Sequence, residues 1–165
     1  MKTTWAIREG HVLDVLGEMP AESIQCVVTS PPYWGLRDYG VPGQLGLEPT
    51  PGEYVSTMVE VFREVRRVLR DDGTVWLNMG DSYASGMREH YATDRKYGQA
   101  RASDSRPPTP LGLKPKDLVG IPWRVAFALQ ADGWYLRSDI IWAKPNPMPE
   151  SVTDRPTKAH EYVFL

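Results

Sequence analysis

The sequence lacks the features of a disulfide-bonded or membrane-spanning protein. Its single cysteine, Cys26, lies inside an apolar run and excludes an internal disulfide, so we expect a reduced, buried packing role for it. No apolar run approaches the roughly 20 residues that span a bilayer. Met1 is followed by no basic and apolar leader, and these absences together predict a cytoplasmic location.

Metal-binding side chains and excess positive charge are also scarce. The three histidines, His11, His90 and His160, are scattered and no Cys/His spacing is present, so we predict no metal site. A net charge of −2 provides no overall cationic field. Any contact with nucleic acid must therefore depend on local basic groups.

Strand-like and helix-like periodicities alternate along the chain. With 41% hydrophobic residues, it can build one core, and we expect one domain. The pattern predicts strands at residues 4–8, 23–29, 74–79, 135–142 and 161–165 and helices at residues 11–16, 53–69 and 117–131. Pro122 fits the first turn of the last helix, and Gly133 fits its end. This order is typical of an α/β sheet with helices on both faces.

A long polar segment, residues 84–110, interrupts the alternation. It is short of aliphatic residues and carries several glycines and prolines, which predicts a mobile loop. Its basic and aromatic residues could order on nucleic acid, and the alternative is a surface insertion without such a role. These residues are Arg88, Tyr91, Arg95, Lys96, Tyr97, Arg101 and Arg106.

The most informative stretch is Ser30-Pro31-Pro32-Tyr33, directly after the apolar strand at residues 23–29. Each proline fixes its own φ, pushes the residue before it into extended geometry and lacks an N–H donor. The loop is therefore rigid, and its carbonyls are left to accept hydrogen bonds. A serine hydroxyl, free carbonyls and an aromatic ring at the carboxyl end of a buried strand predict a pocket for a planar group that carries an amino group.

This motif, with most of the chain, resembles the amino-methylating DNA methyltransferases, which methylate N4 of cytosine or N6 of adenine. Their signature is Asp/Asn/Ser-Pro-Pro followed by an aromatic residue, and residues 34–40, 80–83 and 140–165 also resemble family segments. The resemblance implies S-adenosylmethionine as cofactor, duplex DNA as substrate and a Rossmann-like α/β sheet, mostly parallel with one antiparallel strand near an edge. It places strands 23–29 and 74–79 side by side and makes the last two strands an antiparallel pair.

The resemblance also implies roles for the motif residues. Ser30 Oγ and the Pro31 carbonyl would accept the two N–H groups of the target amine and draw its nitrogen towards tetrahedral geometry. Tyr33 would stack on the flipped base, and Pro32 completes the motif. Trp34 is predicted either as a second stacking surface on DNA or as core packing. Serine in the first position is commoner among N4-cytosine enzymes, so cytosine N4 is favoured over adenine N6.

Further candidate DNA contacts lie outside the motif. By the same resemblance, Lys144, Arg155 and Lys158 could bind phosphates. Asn146 could contact backbone or base, whereas the alternative for Lys144 and Asn146 is a solvated lysine and an Asx-type turn. Arg37 could order the catalytic loop or contact DNA.

Two features depart from the family pattern. The family has Gly-Asp after its first strand, with the acid near the cofactor, where this chain has Gly10-His11. His11 and Ser30 are the predicted cofactor contacts. No Gly-x-Gly occurs in the chain, although a Phe-x-Gly-x-Gly loop is the family's main cofactor-binding segment. A permuted class with the catalytic motif first explains this, so we predict that residues 1–165 are the catalytic and target-facing part of one methyltransferase domain, without its C-terminal cofactor-binding part.

Other functions stay open at this point. The chain could be a DNA-binding fragment or module without catalysis, which weak cofactor binding with clear duplex binding would indicate. It could methylate RNA bases, to be separated by a preference for single-stranded RNA. A protein-glutamine methyltransferase, which uses a related Asn-Pro-Pro-Tyr, fits less well because of Ser30 and the motif order. By the same resemblance, a cognate restriction endonuclease is a candidate partner.

Overall fold

A four-stranded sheet and its helices make up the part of the chain that the structure describes. The structure, a computed structural model, describes residues 4–84 and 109–165. In chain order the elements are α1 (Val12–Gly17), β1 (Ile24–Thr29), α2 (Pro51–Val68), β2 (Leu69–Met79), α3 (Ile121–Ala131), β3 (Asp139–Ala143) and β4 (His160–Phe164). The predicted mobile loop, with its basic and aromatic candidates from position 88 to position 106, lies outside the described residues except at its two ends. Within the described ranges, none of the helices combines the length and the apolar character that crossing a bilayer requires.

The longest helix, α2, begins where its sequence provides a complete cap. Thr50 Oγ1 accepts a hydrogen bond from the Glu53 N–H, the Glu53 carboxylate accepts one from the Thr50 N–H, and Pro51 occupies the first turn. The apolar positions that recur along the helix are buried: Tyr54, Met58, Val61, Phe62, Val65 and Val68. Cap and periodicity together confirm the predicted helix, which starts slightly earlier than expected.

Several predicted elements differ from the structure. Residues 4–8 form no strand, because no strand of the described chain pairs with them, and Trp5 and Ile7 are 82% and 85% exposed. β2 begins at Leu69 and not at residue 74, because Leu69 already pairs with β1 before a bulge that includes Gly73. α3 begins at Ile121 instead of residue 117, and β3 is limited to Asp139–Ala143.

The sheet has the predicted topology. Its strand order is β1-β2-β4-β3, with β1 and β2 parallel and β4 antiparallel to both β2 and β3. Three strands therefore run one way, and β4, next to the edge strand β3, runs the other way. This arrangement confirms a partial Rossmann-like sheet, mostly parallel with one antiparallel strand near an edge. Strands β1, β2 and β3 end, and β4 begins, at the same end of the sheet. We call this end of the strands the site edge, and it is formed by Thr29, Met79, Ala143 and His160.

The described helices cover one face of the sheet, whereas the sequence pattern predicts helices on both faces. The strand residues that join the core shared with these helices are Val27, Val75, Leu77, Met79, Tyr162 and Phe164. Side chains alternate along a strand, so the other face, which we call the open face, is formed by Cys26, Val28, Trp76, Asn78, Ile140, Trp142 and Val163. The expected burial of Cys26 is therefore wrong, because its thiol lies on the open face and is exposed.

Candidate functional site

The predicted catalytic motif lies at the site edge, directly after β1. Thr29 pairs with Leu77 of β2, so the next residue of each strand, Ser30 and Asn78, come side by side. Parallel strands of an α/β sheet bind ligands beyond their carboxyl ends. The pairing of β1 with β2 therefore brings two polar side chains to the edge where a ligand is expected.

Ser30, Tyr33 and Asn78 form one hydrogen-bonded cluster, which we call the hydroxyl cluster. Tyr33 Oη donates to Asn78 Oδ1 over 2.8 Å, and Ser30 Oγ lies 3.1 Å from Tyr33 Oη and 3.4 Å from Asn78 Oδ1. Asn78 Nδ2 donates to the Tyr162 carbonyl of β4 over 3.2 Å. A Cβ on Gly80 would lie 2.5 Å from Tyr33 Cε2, so the absent side chain leaves room for the ring. The cluster is anchored in the sheet while Ser30 stays exposed.

A buried tyrosine holds the proline loop against the helix layer. Tyr54, fully buried on α2, donates its hydroxyl to the Pro32 carbonyl over 2.8 Å. Burial, and to a smaller extent the neighbouring Glu48 and Tyr33, raises the pKa of the Tyr54 phenol well above its usual range, so the group remains a donor. The Pro32 carbonyl is thus occupied, whereas the Pro31 carbonyl accepts no hydrogen bond within the described residues.

Trp34 lies in the core and not on a DNA-facing surface. Its indole is 5% exposed and joins the cluster that contains Met58 and Met79. Its Nε1 donates to the Glu48 carbonyl over 2.8 Å. A ring buried in this way has no free face for a base, so the predicted DNA contact by Trp34 is not supported and the packing alternative fits.

Asp81, directly after Gly80, connects the site edge to α3. The residue before that helix, Gly120, has no side chain with which to cap it. Asp81 Oδ1 accepts instead from the backbone N–H groups of Gly120 and Ile121, both over 3.0 Å, and from that of Ser82 over 2.9 Å. A carboxylate at a helix N-terminus satisfies free N–H groups and complements the helix dipole.

Two of the predicted phosphate-binding residues, Lys144 and Arg155, lie in the loop between β3 and β4 and form ion pairs with carboxylates of this chain. Lys144 Nζ forms an ion pair with Glu161 of β4. Arg155 forms an ion pair with Glu150 over 2.6 Å, and its guanidinium lies 3.7 Å from the centre of the Tyr83 ring. Both cations therefore lie close to the site edge, but neither is an isolated charge.

Of the remaining predicted DNA contacts, Lys158 is half-buried, whereas Asn146 and Arg37 are exposed. Lys158 Nζ lies 5.1 Å from the centre of the Tyr162 ring. Asn146 is exposed in the same loop. Arg37 is exposed in the segment that follows the motif, where its carbonyl accepts from Gln44 Nε2 over 2.7 Å.

His11, the predicted cofactor contact, does not join the hydroxyl cluster. It is exposed at the N-terminus of α1, and its side chain does not cap that helix. Among residues 4–84 and 109–165, no group of three or more His, Cys, Asp or Glu side chains is arranged to hold a metal ion. Two hollows of the described chain are lined by Leu165, the residue that follows β4, and by none of the three residues of the hydroxyl cluster.

Sequence reasoning missed two residues of the site, Asn78 and Tyr54. A signal for Asn78 exists, since it interrupts the apolar run Val75–Met79 and stands near the carboxyl end of a strand predicted to adjoin the motif. Tyr54 has no comparable signal. It occupies an ordinary core position of α2, and its bond to Pro32 depends on how that helix packs.

Comparison with known proteins identifies the family of the chain. Residues 24–165 match the family model N6_N4_Mtase, described as DNA methylase. The Type II methyltransferase M.XycI of Xanthomonas campestris pv. cyanopsidis is 63% identical over 157 residues, which cover 95% of this chain and 52% of that protein. The Type II methyltransferase M.Cfr9I of Citrobacter freundii is 60% identical over 157 residues, with the same coverage of 95% and 52%. The chain thus spans about half the length of these relatives.

Solved structures agree in fold. The PvuII DNA methyltransferase, described as cytosine-N4-specific, superposes with a TM-score of 0.64 at 22% identity over 94% of this chain and 46% of its own. A Thermus thermophilus protein described as a DNA modification methylase, solved in complex with S-adenosyl-L-methionine, superposes with a TM-score of 0.60 at 24% identity over 94% of this chain and 52% of its own. With the family match over residues 24–165, the resemblance seen in the sequence is confirmed: the chain belongs to the N6/N4 DNA methylase family.

Proposed function

We propose that the protein transfers a methyl group from S-adenosylmethionine to an exocyclic amino nitrogen of duplex DNA, with cytosine N4 favoured over adenine N6. The observation that carries the proposal is the hydroxyl cluster at the site edge. The 63% identity to a Type II methyltransferase supports it, because that similarity extends over 95% of the chain.

The acceptor chemistry follows from the state of Ser30. An exocyclic amine is a weak nucleophile because its lone pair is delocalised into the ring. The Ser30 hydrogen is directed towards Tyr33 Oη or Asn78 Oδ1, which leaves the lone pairs of Oγ to accept one amine N–H. The Pro31 carbonyl accepts the second N–H. Fixed acceptors on both hydrogens orient the nitrogen and stabilise positive charge as it develops there.

Tyr33 supplies the stacking surface for the base. Enzymes that act on a base atom take the base out of the helix and hold it between flat or apolar side chains. The Tyr33 ring is half-buried beside Gly80, and its hydroxyl is fixed by Asn78. The ring is therefore held in place before the base arrives, which keeps the amine next to Ser30.

The choice of base rests on the first residue of the motif. By the family resemblance, serine at the position of Ser30 is commoner among N4-cytosine enzymes, whereas aspartate is commoner among N6-adenine enzymes. The neutral hydroxyl is chemically adequate for either amine. Cytosine N4 is therefore the favoured target, and product analysis separates it from adenine N6.

The described residues fit the amine-facing side of the reaction but do not form a site for S-adenosylmethionine, which when bound supplies the electrophilic methyl group. The Asp81 carboxylate caps α3, and the exposed His11 is not an anionic acceptor. The chain also contains no Gly-x-Gly. We therefore assign residues 1–165 to the catalytic and target-facing part of the domain and place the cofactor site in the portion of the relatives that this chain does not match.

Phosphate contacts are proposed at the loop between β3 and β4 and at Arg37. Arg37 and Asn146 are exposed and need no rearrangement to meet DNA. Lys144 and Arg155 are paired with carboxylates but retain further N–H donors, so a phosphate can add to each pair. Lys158, over the Tyr162 ring, would bind at the same edge.

A second function is favoured because residues 4–84 and 109–165 form no cofactor site. By itself, this chain would bind duplex DNA without transferring a methyl group. The chain spans 52% of M.XycI, which supports this alternative for the isolated polypeptide. Duplex binding without measurable binding of S-adenosylmethionine would identify it.

The test is a methyl-transfer assay with labelled S-adenosylmethionine and unmethylated duplex DNA. The chain is assayed alone and covalently joined to the part of M.XycI that it does not match, which we call the joined protein. Ser30→Ala removes the hydroxyl acceptor, and we expect kcat of the joined protein to fall by about 100-fold.

The matched control is Ser23→Ala. Ser23 precedes β1 at the opposite edge of the sheet, where its hydroxyl donates to the Pro20 carbonyl over 2.7 Å, so its loss should leave the rate unchanged. Full activity of Ser30→Ala would contradict the proposed role of the hydroxyl. No transfer by the joined protein, under conditions in which M.XycI is active, would contradict the proposed function.

A further inference from the structure

We infer that Asn78 is the positioning residue of the methyl-transfer site: its side-chain amide keeps the Ser30 hydroxyl in the accepting state and fixes the Tyr33 ring. The inference rests on the proposed function. It concerns a residue outside the Ser-Pro-Pro-Tyr motif, on a different strand, whose side chain acts through Ser30 and Tyr33 and not on the base itself.

The amide of Asn78 is matched to its neighbours on both sides. Its Oδ1 accepts from Tyr33 Oη over 2.8 Å and lies 3.4 Å from Ser30 Oγ. Its Nδ2 donates to the Tyr162 carbonyl over 3.2 Å. An amide offers an acceptor and a donor at once, whereas an ionised carboxylate offers only acceptors and a hydrocarbon offers neither. Asparagine is therefore the side chain that satisfies the hydroxyls and the carbonyl together.

The direction of these bonds decides what Ser30 can do. Tyr33 has one hydroxyl hydrogen, and Asn78 Oδ1 takes it. Tyr33 Oη is then left with lone pairs for the Ser30 hydrogen, which it meets over 3.1 Å. With its only hydrogen directed inwards, Ser30 Oγ presents lone pairs to the surface. Without Asn78, both hydroxyls can rotate and Ser30 can act as a donor, which would repel the amine hydrogens.

Asn78 is not required to hold the sheet together. Its backbone already pairs with Val163 in the antiparallel ladder between β2 and β4. The side chain lies on the open face and is half-buried, away from the helix core. Loss of the amide should therefore change the chemistry more than the stability.

The experiment compares variants of the joined protein in the methyl-transfer assay. Asn78→Ala should lower kcat by about 100-fold, because the Ser30 hydroxyl is no longer held as an acceptor for the amine. The KM for S-adenosylmethionine should change little, because the cofactor contacts are unaffected. The matched control is Thr74→Ala, a polar residue on the same face in the middle of the same strand, where it pairs with Cys26 and lies outside the hydroxyl cluster, so its loss should leave kcat unchanged. The double variant Asn78→Ala with Tyr33→Phe should have a kcat only slightly below that of either single variant, because both substitutions remove the same hydrogen bond.

Asn78→Asp adds a pH readout of the donor side of the amide, its bond to the Tyr162 carbonyl. The ionised carboxylate repels the Tyr162 carbonyl, whereas the protonated acid has the same shape as the amide and again offers a donor and an acceptor. Activity of this variant relative to wild type should therefore recover as the pH falls. A kcat for Asn78→Ala within twofold of wild type, or purely additive effects with Tyr33→Phe, would overturn the inference while the wild-type activity upholds the proposed function.

A measurement on this chain alone tests the inference even if the joined protein is inactive and the proposed function fails. The NMR resonance of the Tyr33 ζ carbon reports the hydrogen bond of its hydroxyl. We expect this resonance to shift in Asn78→Ala and not in Thr74→Ala. An unchanged resonance in Asn78→Ala would overturn the inference whatever the activity.

Discussion

The two faces of the sheet differ in what they contribute. On the face covered by helices, Leu77 is 3% exposed and Met79 is fully buried against α2 and α3. On the open face, Val28 is 78% exposed and Trp142 is 57% exposed. Burial of apolar surface stabilises a fold by about 25 cal/mol per Å². The helix-covered face therefore carries most of the stability that the described residues generate.

The proposed methyl-transfer site lies at the open face instead. Asn78 belongs to it, and Ser30 follows β1 on the same side. The two faces meet at the proline loop, where buried Tyr54 holds the Pro32 carbonyl from the helix side. Substitutions on the helix-covered face should therefore alter stability, whereas substitutions where the open face meets the site edge should alter the reaction rate.

The largest expected difference in stability is between two valine-to-alanine substitutions, one in the core beneath the helices and one on the open face. Val125→Ala empties a fully buried position of α3 and should lower the free energy of unfolding by about 1.5–3 kcal/mol. Val28→Ala removes the same atoms from an exposed position and should change the free energy of unfolding by less than about 0.5 kcal/mol. Urea unfolding of both variants measures the difference. Equal losses would break the distinction between the faces.

The next largest effect is expected at Asp81. Asp81→Ala leaves the N–H groups of Gly120, Ile121 and Ser82 without their acceptor and should lower the free energy of unfolding by about 1–3 kcal/mol. Asp81→Asn keeps one side-chain oxygen and should lose less. Thermal unfolding followed by circular dichroism gives the comparison, and a neutral Asp81→Ala would mean that α3 does not need this cap.

A smaller, pH-dependent effect is expected between α2 and the end of α3. The hydrogen-bonded ion pair with Arg63 holds the pKa of Asp132 below its usual range. A carboxylate whose pKa is lowered by folding stabilises the protein above its unfolded pKa of about 3.9, and this contribution is lost as the pH falls through the lower folded value. Asp132→Asn should therefore be less stable than wild type at neutral pH, with the gap closing in acid. A gap that is constant with pH would exclude this linkage.

The smallest effect on stability is expected at Cys26 on the open face. Because its thiol is exposed, a thiol reagent should modify the native chain about as readily as the unfolded chain. Cys26→Ser should change the free energy of unfolding by less than about 0.5 kcal/mol. Strong protection of the thiol in the native chain would show that this part of the open face is covered.

Local signals in the sequence were sufficient for much of the fold. The helix α2 was predicted from its apolar spacing, and β1 from an apolar run that stops at the prolines. The position of Ser30 at the end of a strand was predictable for the same reason. These features depend on residues close together in the chain.

Contacts between distant segments were not predictable. The role of Asn78 depends on the register that places Thr29 opposite Leu77. Burial of Trp34 and the bond from Tyr54 to the proline loop depend on how α2 packs. The strand predicted at residues 4–8 failed because a strand needs a partner, and local propensity does not provide one.

The most direct test of the account is nucleoside analysis of duplex DNA after reaction with the joined protein and labelled S-adenosylmethionine. We predict label in N4-methylcytosine, strongly reduced in the Ser30→Ala reaction over the same time. Label in N6-methyladenine would keep the amine chemistry and overturn the choice of base. Label in 5-methylcytosine, or in no base at all, would contradict the claim that Ser30 and the Pro31 carbonyl prepare an exocyclic amine for methyl transfer.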